Sequence, residues 1–199
     1  MNRRQLLCSG ASLGALSLLP ASAFADSDTR RRFHAALERD PSLSVYADLA
    51  GEQSGDAVVS GRLPADLDGV FFRNGPGRFE LGGERYHHWF DGDGFAQRWQ
   101  VSQGKVSHRG KFVATQKFSD ESQAGQFLYP VFGTNVARRG LKSNDTINAA
   151  NTNLVPFNGR VYALWEGGSA TELDPRTLDT IGIKTWRDDL KSMPFSAHP

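Results

Sequence analysis

The chain has 199 residues, with 39% apolar and 23% charged side chains and a formal net charge of +1. That composition belongs to an ordinary globular chain and excludes a disordered or collagen-like one. So even a charge balance gives no case for nucleic acid or an anionic membrane as a partner.

The first residues read as a leader. Asn2-Arg3-Arg4-Gln5 is a positive start with paired arginines, a weakly apolar stretch runs from Leu6 to about Leu19, and Ala23-Phe24-Ala25 is a small-residue cleavage site. The apolar stretch is shorter than the roughly 20 residues a bilayer span needs. The arginine pair and the mild apolar stretch predict twin-arginine export, and so a periplasmic location in a bacterium. Removing residues 1–25 takes away two arginines and no acid, so the net charge becomes −1. Cys8, the sole cysteine, lies inside this leader, which leaves no thiol for a disulfide or a thiolate metal site.

From Asp28 to about Ala50 the pattern is helical. Phe33 and Leu37 share one face, the arginine run Arg30-Arg31-Arg32 and His34 read as surface, and Pro41 ends the helix. Gly51 to Ser60 reads as a polar connection. Leu63 to Gly69 is a turn-rich approach to a strand over Val70–Arg73, followed by the sharp turn Asn74-Gly75-Pro76-Gly77. Arg73 is expected to be a structural ion-pair donor. His87 and His88, adjacent on an extended stretch, would point to opposite faces and make a poor chelating pair. Asp91-Gly92-Asp93-Gly94 resembles the start of a calcium loop, but Phe95 and Ser102 occupy positions where ligands are required, so a tight hairpin turn is expected.

Phe95–Val101 and Lys105–Thr115 form a hairpin about Gln103-Gly104. Lys117 and Phe118 follow, with Lys117 expected to face solvent. From Gln123 to Ala150 the pattern is that of a loop. Its apolar members Phe127, Leu128, Tyr129 and Phe132 are candidates for a substrate-tunnel mouth or a peripheral membrane contact, with ordinary packing as the alternative. Val161–Trp165 is a strand introduced by the turn Asn158-Gly159. Glu166 stands where that strand leaves the sheet, a usual place for a functional group. Asp174-Pro175 opens a type I turn, and another strand runs from Thr180 to Trp186. Short strands and tight turns at this spacing suit a β-propeller blade, a pattern that sandwiches share.

Three blocks, in order, carry a resemblance. They are Leu63-Pro-Ala-Asp-Leu-Asp-Gly-Val-Phe-Phe-Arg73-Asn-Gly-Pro76 with Trp89-Phe-Asp-Gly-Asp-Gly94; Lys111-Phe-Val-Ala-Thr115 running on to Gly125; and Asn151-Thr-Asn153 with Ala163-Leu-Trp-Glu-Gly-Gly168 and Ser196-Ala-His-Pro199. Together they resemble the carotenoid cleavage oxygenase family, and in detail its bacterial apocarotenoid oxygenases. The resemblance implies an all-β fold, part of a seven-bladed propeller with about two to three blades present, behind a short N-terminal helix. It divides the chain into a leader (1–25), a helical and linker segment (26–55) and the first part of the propeller (56–199).

The resemblance also implies a cofactor, Fe(II), which in the family is held by four histidines, three of them braced by glutamates. His198 matches the first iron-ligand histidine. Glu166 matches a glutamate that accepts a hydrogen bond from one of the later ligands, and Thr152 matches a residue beside an open coordination position. His34, His87, His88 and His108 match no ligand position. The chain is therefore expected to be the N-terminal portion of such an enzyme. The parent would use dioxygen to cleave a conjugated double bond of an apocarotenoid or carotenoid into two carbonyl products, and the isolated chain would be inactive. The alternatives are a lignostilbene-type dioxygenase and a non-catalytic propeller fragment or binding protein.

Overall fold

The structure is a computed structural model that describes residues 21–199, with side chains from residue 28 onward. Arg3, Arg4, Cys8 and the apolar part of the predicted leader lie outside the described residues. Helix α1 (Ala21–Arg39) is longer than the predicted helix and carries its backbone through the expected cleavage site. It does stop before Pro41. There the Asp40 carboxylate accepts from the Ser42 amide at 3.0 Å and starts a 3-10 turn over Pro41–Tyr46.

The remainder is mostly strand. Strands β6 (Asp93–Ser102) and β7 (Lys105–Phe112) form the predicted hairpin about Gln103-Gly104. Strand β2 (Gly69–Arg73) pairs with β6, and β3 (Pro76–Arg78) joins the same strand further along. The outer edge of β7 pairs with β1 (Gln53–Asp56), giving the order β1-β7-β6-β2. Strand β1 lies within the stretch expected to be a polar connection. Its Gln-Ser-Gly-Asp sequence is exposed throughout and has no alternation to read, so only the pairing offered by β7 makes it a strand.

A small ribbon, β4 (Glu80–Leu81) with β5 (Glu84–Arg85), precedes the hairpin. The second sheet is a meander in the order β11-β10-β9-β8. Its strands are β8 (Asn153–Phe157), β9 (Arg160–Leu164), β10 (Thr171–Leu173) and β11 (Thr180–Ile183). Asn158 and Gly159 both take positive φ, 48° and 73°, as a two-residue hairpin turn requires.

The two larger sheets have the build of propeller blades, antiparallel and about four strands wide. They stack through Phe72, Ala96 and Val113 of the first and Leu154, Val161, Ala163, Leu173 and Leu178 of the second. The fold is thus the all-β partial propeller that the resemblance implies, with two blades formed.

One element was not expected. Helix α2 (Gln116–Ala124) occupies the region read as hairpin end and loop. Thr115 caps it, accepting from the Phe118 amide at 3.1 Å, and Gly125 ends it in the left-handed conformation. Lys117 on this helix does not face solvent, since its side chain is fully buried. Its Nζ sits 2.8 Å from Asp93 Oδ1 and 3.1 Å from Glu121 Oε2, and donates to the Tyr86 hydroxyl at 2.6 Å. A buried ammonium persists only when paired in this way. The same carboxylates, together with burial, push the Tyr86 phenol well above its ordinary range, burial being the larger cause.

Asp91 and Asp93 likewise do not form a hairpin turn. Trp89–Asp91 is a 3-10 turn leading into β6, and both carboxylates are buried. Asp91 accepts from the Gly133 amide at 2.7 Å and from Thr134 Oγ1 at 2.7 Å, while Asp93 also meets Arg78 Nε at 2.7 Å.

Candidate active site

The site lies at one end of strand β9. That strand ends at Leu164, and Trp165 and Glu166 leave the sheet beyond it. Across the ladder, the Thr152 amide donates to the Leu164 carbonyl at 3.0 Å, which brings Thr152 beside the departing chain. Gly167 turns back so tightly against the Trp165 ring that a Cβ would come within 2.5 Å of it, so no other residue fits without displacing the ring.

The last residues return to the same place. The Phe195 amide donates to the Gly168 carbonyl at 2.9 Å, and Ala197 is fully buried beside Tyr162, Leu164 and Ala170. Ala197 thereby anchors the neighbouring His198, whose amide donates to Ser196 Oγ at 3.2 Å.

Thr152, Glu166 and His198 share one cavity of about 610 Å³, and Trp89, Phe90, Phe132 and Trp165 supply much of its apolar lining. The aromatic side is held from behind. Asn151 Nδ2 donates to the Phe90 carbonyl at 2.8 Å and the Gly92 carbonyl at 2.7 Å, tying the 3-10 turn to the residue next to Thr152. His88 accepts from the Phe90 amide through Nδ1 at 3.1 Å, and its ring contacts those of Phe90 and Phe132, each with centroids 4.9 Å apart. His88 is therefore neither on a strand nor half of a strand pair with His87: it caps a turn and backs the cavity wall.

The four apolar residues considered for a tunnel mouth divide. Phe127, Leu128 and Tyr129 are buried, whereas Phe132 is 73% exposed and lines the cavity. Arg73 also lines it and makes no ion pair among the described residues, so the structural role expected for it is not seen. It is the last paired rung of β2, opposite Gln97, and stands at the cavity rim.

Glu166 Oε1 stands 3.7 Å from His198 Nε2, outside hydrogen-bonding distance, and both side chains are more than half exposed. Within this chain the imidazole facing Glu166 is thus His198 itself. The donor set of one neutral imidazole with a carboxylate nearby suits a share of a divalent iron site. It does not make a complete one, because the described residues contain no group of three or more His, Cys, Asp or Glu arranged to hold a metal. No described helix is long and apolar enough to cross a membrane.

Residues 46–199 match the family described as RPE65, retinal pigment epithelial membrane protein. The chain belongs to that family. Among its relatives, apocarotenoid-15,15'-oxygenase of Synechocystis sp. is 41% identical over 151 residues, an alignment covering 71% of this chain and 30% of that protein. Lignostilbene-alpha,beta-dioxygenase isozyme III of Sphingomonas paucimobilis is 32% identical, over 72% of this chain and 29% of its own length. The solved structure of cobalt-substituted Synechocystis apocarotenoid oxygenase superposes with a TM-score of 0.67 at 35% identity, covering 79% of this chain and 34% of that one. The chain thus spans about a third of the length of the relatives it matches. The expected kinship with carotenoid cleavage oxygenases holds on every comparison.

Proposed function

We propose that this chain is part of a non-haem Fe(II) dioxygenase that cleaves a conjugated C=C bond of an apocarotenoid or carotenoid into two carbonyl products. The observation that carries this reading is the convergence of Thr152, Glu166 and His198, from three separate segments, on one aromatic-lined cavity. Kinship with an apocarotenoid oxygenase, and a relative whose structure accepts cobalt, support it further. The lignostilbene relative favours a stilbene as the second candidate substrate.

His198 would serve as one iron ligand through its neutral imidazole. Glu166 would accept a hydrogen bond from a ligand imidazole, fixing its tautomer and raising its basicity. Thr152, whose hydroxyl is held by Asn151 Oδ1 at 3.2 Å, would border the place where dioxygen enters. When bound, Fe(II) supplies the activation of dioxygen. Trp89, Phe90, Phe132 and Trp165 would hold an extended apolar substrate and keep water from the reacting bond. The reaction balances without a reductant, since one double bond and one dioxygen give two carbonyls.

The test measures iron content and turnover together, in a family-length protein carrying these residues. His198→Ala should abolish both, because it removes a ligand. Glu166→Gln should lower them by about 10–100-fold, the usual loss when a group bracing a ligand is changed. The 199-residue chain alone should hold less than one iron per molecule. Full iron occupancy and normal turnover in His198→Ala would refute the assignment.

A further inference from the structure

A second site lies in a groove between the two sheets that shares no residue with the aromatic cavity. Pairing register places Ser54, Arg109 and Arg98 directly across from one another on β1, β7 and β6, with Asp56, Ser107 and Gln100 forming the next row on the same face. That face turns toward the second sheet. Arg98 Nε donates to the Pro175 carbonyl at 3.0 Å, and its Nη2 donates to Gln100 Oε1 at 2.9 Å. Arg176, from the turn between β10 and β11, closes the groove, whose volume is about 490 Å³.

The charge balance here is unusual. Arg98 and Arg109 are cross-strand partners, and like charges directly opposite each other destabilise a ladder. The nearby acids make their hydrogen bonds elsewhere, although the charge of Arg109 also reaches Asp179 as a minor attraction. Asp179 is 2.7 Å from Lys111 Nζ, which also meets Glu52 at 3.4 Å, and Asp174 accepts the amides of its own turn. Asp56 lines the groove but makes no ion pair with any of the three arginines. Three guanidiniums thus converge with one carboxylate among them, and two of the three are half-buried.

We infer that this groove binds a phosphate group. Guanidinium forks match phosphate oxygens in paired hydrogen bonds, a phosphate dianion would relieve the Arg98–Arg109 repulsion, and the Ser54 and Ser107 side chains lie beside the two arginines to complete the shell. The ligand is either a soluble phosphate or the headgroup of an anionic phospholipid.

Equilibrium dialysis of the 199-residue chain against radiolabelled inorganic phosphate tests this whatever the state of association. Saturable binding of about one phosphate per chain is expected, weakened about tenfold in Arg98→Gln and in Arg109→Gln. Lys111→Gln, on the same face but already neutralised by carboxylates, should leave it unchanged. In a parallel arm, vesicles of phosphatidylglycerol and of phosphatidylcholine are sedimented with the chain. Recruitment to phosphatidylglycerol alone, lost in Arg109→Gln, assigns the phosphate to a lipid headgroup, whereas phosphate binding without recruitment assigns it to a soluble ligand. Absence of both, or an equal loss in Lys111→Gln and Arg109→Gln, would overturn the site. None of these readouts involves iron, so failure of the dioxygenase reading leaves the result intact.

Discussion

Lys117 shows how much a single side chain can hold. Its ammonium is the shared partner of two buried carboxylates, Asp93 at the start of β6 and Glu121 on its own helix. Glu121 in turn accepts the Leu128 amide at 2.9 Å, so the cluster also fixes the chain that leaves α2. Removing the ammonium leaves two fully buried carboxylates to share the single guanidinium of Arg78, 2.7 Å from Asp93 and 3.8 Å from Glu121. Lys117→Ala should therefore destabilise the fold by about 3–5 kcal/mol, the range for a broken buried pair. Arg160→Gln, which breaks the exposed pair with Glu172, should change stability by less than about 1 kcal/mol. Urea unfolding of the two variants measures the difference; similar midpoints would mean that the buried cluster is not a structural lock. In the sequence Lys117 looks like any lysine after a hairpin, because its partners lie 24 residues upstream and one turn ahead on an unrecognised helix.

At the scale of elements, α1 is held mainly by chemistry at Glu80. Arg30 Nε, His34 Nε2 and Arg85 Nη1 approach its carboxylate at 2.7, 2.9 and 2.9 Å, and the Arg85 guanidinium lies 3.4 Å above the Phe33 ring. Burial pushes the Glu80 carboxyl up, but the hydrogen bonds from His34, Arg30 and Arg85 together outweigh it and hold the group below its ordinary value. A carboxylate depressed in the folded state contributes stability above its unfolded value of 4.5, and that contribution is lost as pH falls through the folded value. The pH profile of urea stability should therefore show an acid decline beginning near pH 4.5 that Glu80→Gln flattens, with Glu80→Gln the weaker protein at neutral pH. Parallel profiles would show that Glu80 does not anchor the helix. Asp48, which burial pushes upward, works with the opposite sign but is present in both proteins. Helix α2 was legible in part, since Thr115 and Gly125 bracket it as cap residues. Its nine residues, about two and a half turns, are mostly polar and carry no apolar stripe, which hid it, because the face it buries is ionic.

For the whole molecule, the second sheet is apolar on both faces. Val161 and Ala163 pack on the first sheet, while Tyr162 and Leu164, alternating with them, face the other way. On that side Val155, Phe157, Trp186 and Phe195 border an apolar hollow of about 300 Å³, and Phe157 is 52% exposed. Exposed aromatic surface of this kind, along the edge strand β8 of the sheet, invites association with a second copy. The 199-residue chain should sediment as a dimer or larger species, and Phe157→Glu should move it toward monomer. A monodisperse monomer at high concentration would show that this face is stable in water.

The motif blocks determined the family, the β architecture and the three candidate site residues without any coordinates, because turns such as Asn158-Gly159 and a carboxylate at a strand end are local signals. Glu166 stands out as a carboxylate at a strand end, whereas Thr152 and His198 are picked out only by the resemblance of their blocks to the family. Only the tertiary structure decided that they face one cavity, that Phe132 lines it while Phe127 and Tyr129 are buried elsewhere, and that Arg73 belongs to its rim. It alone made a strand of Gln53–Asp56 and buried Lys117. The reason is the same in each case. A hydrogen-bond partner or a cavity wall comes from residues far away in the chain, so the free energy that places the side chain has no trace in its neighbours.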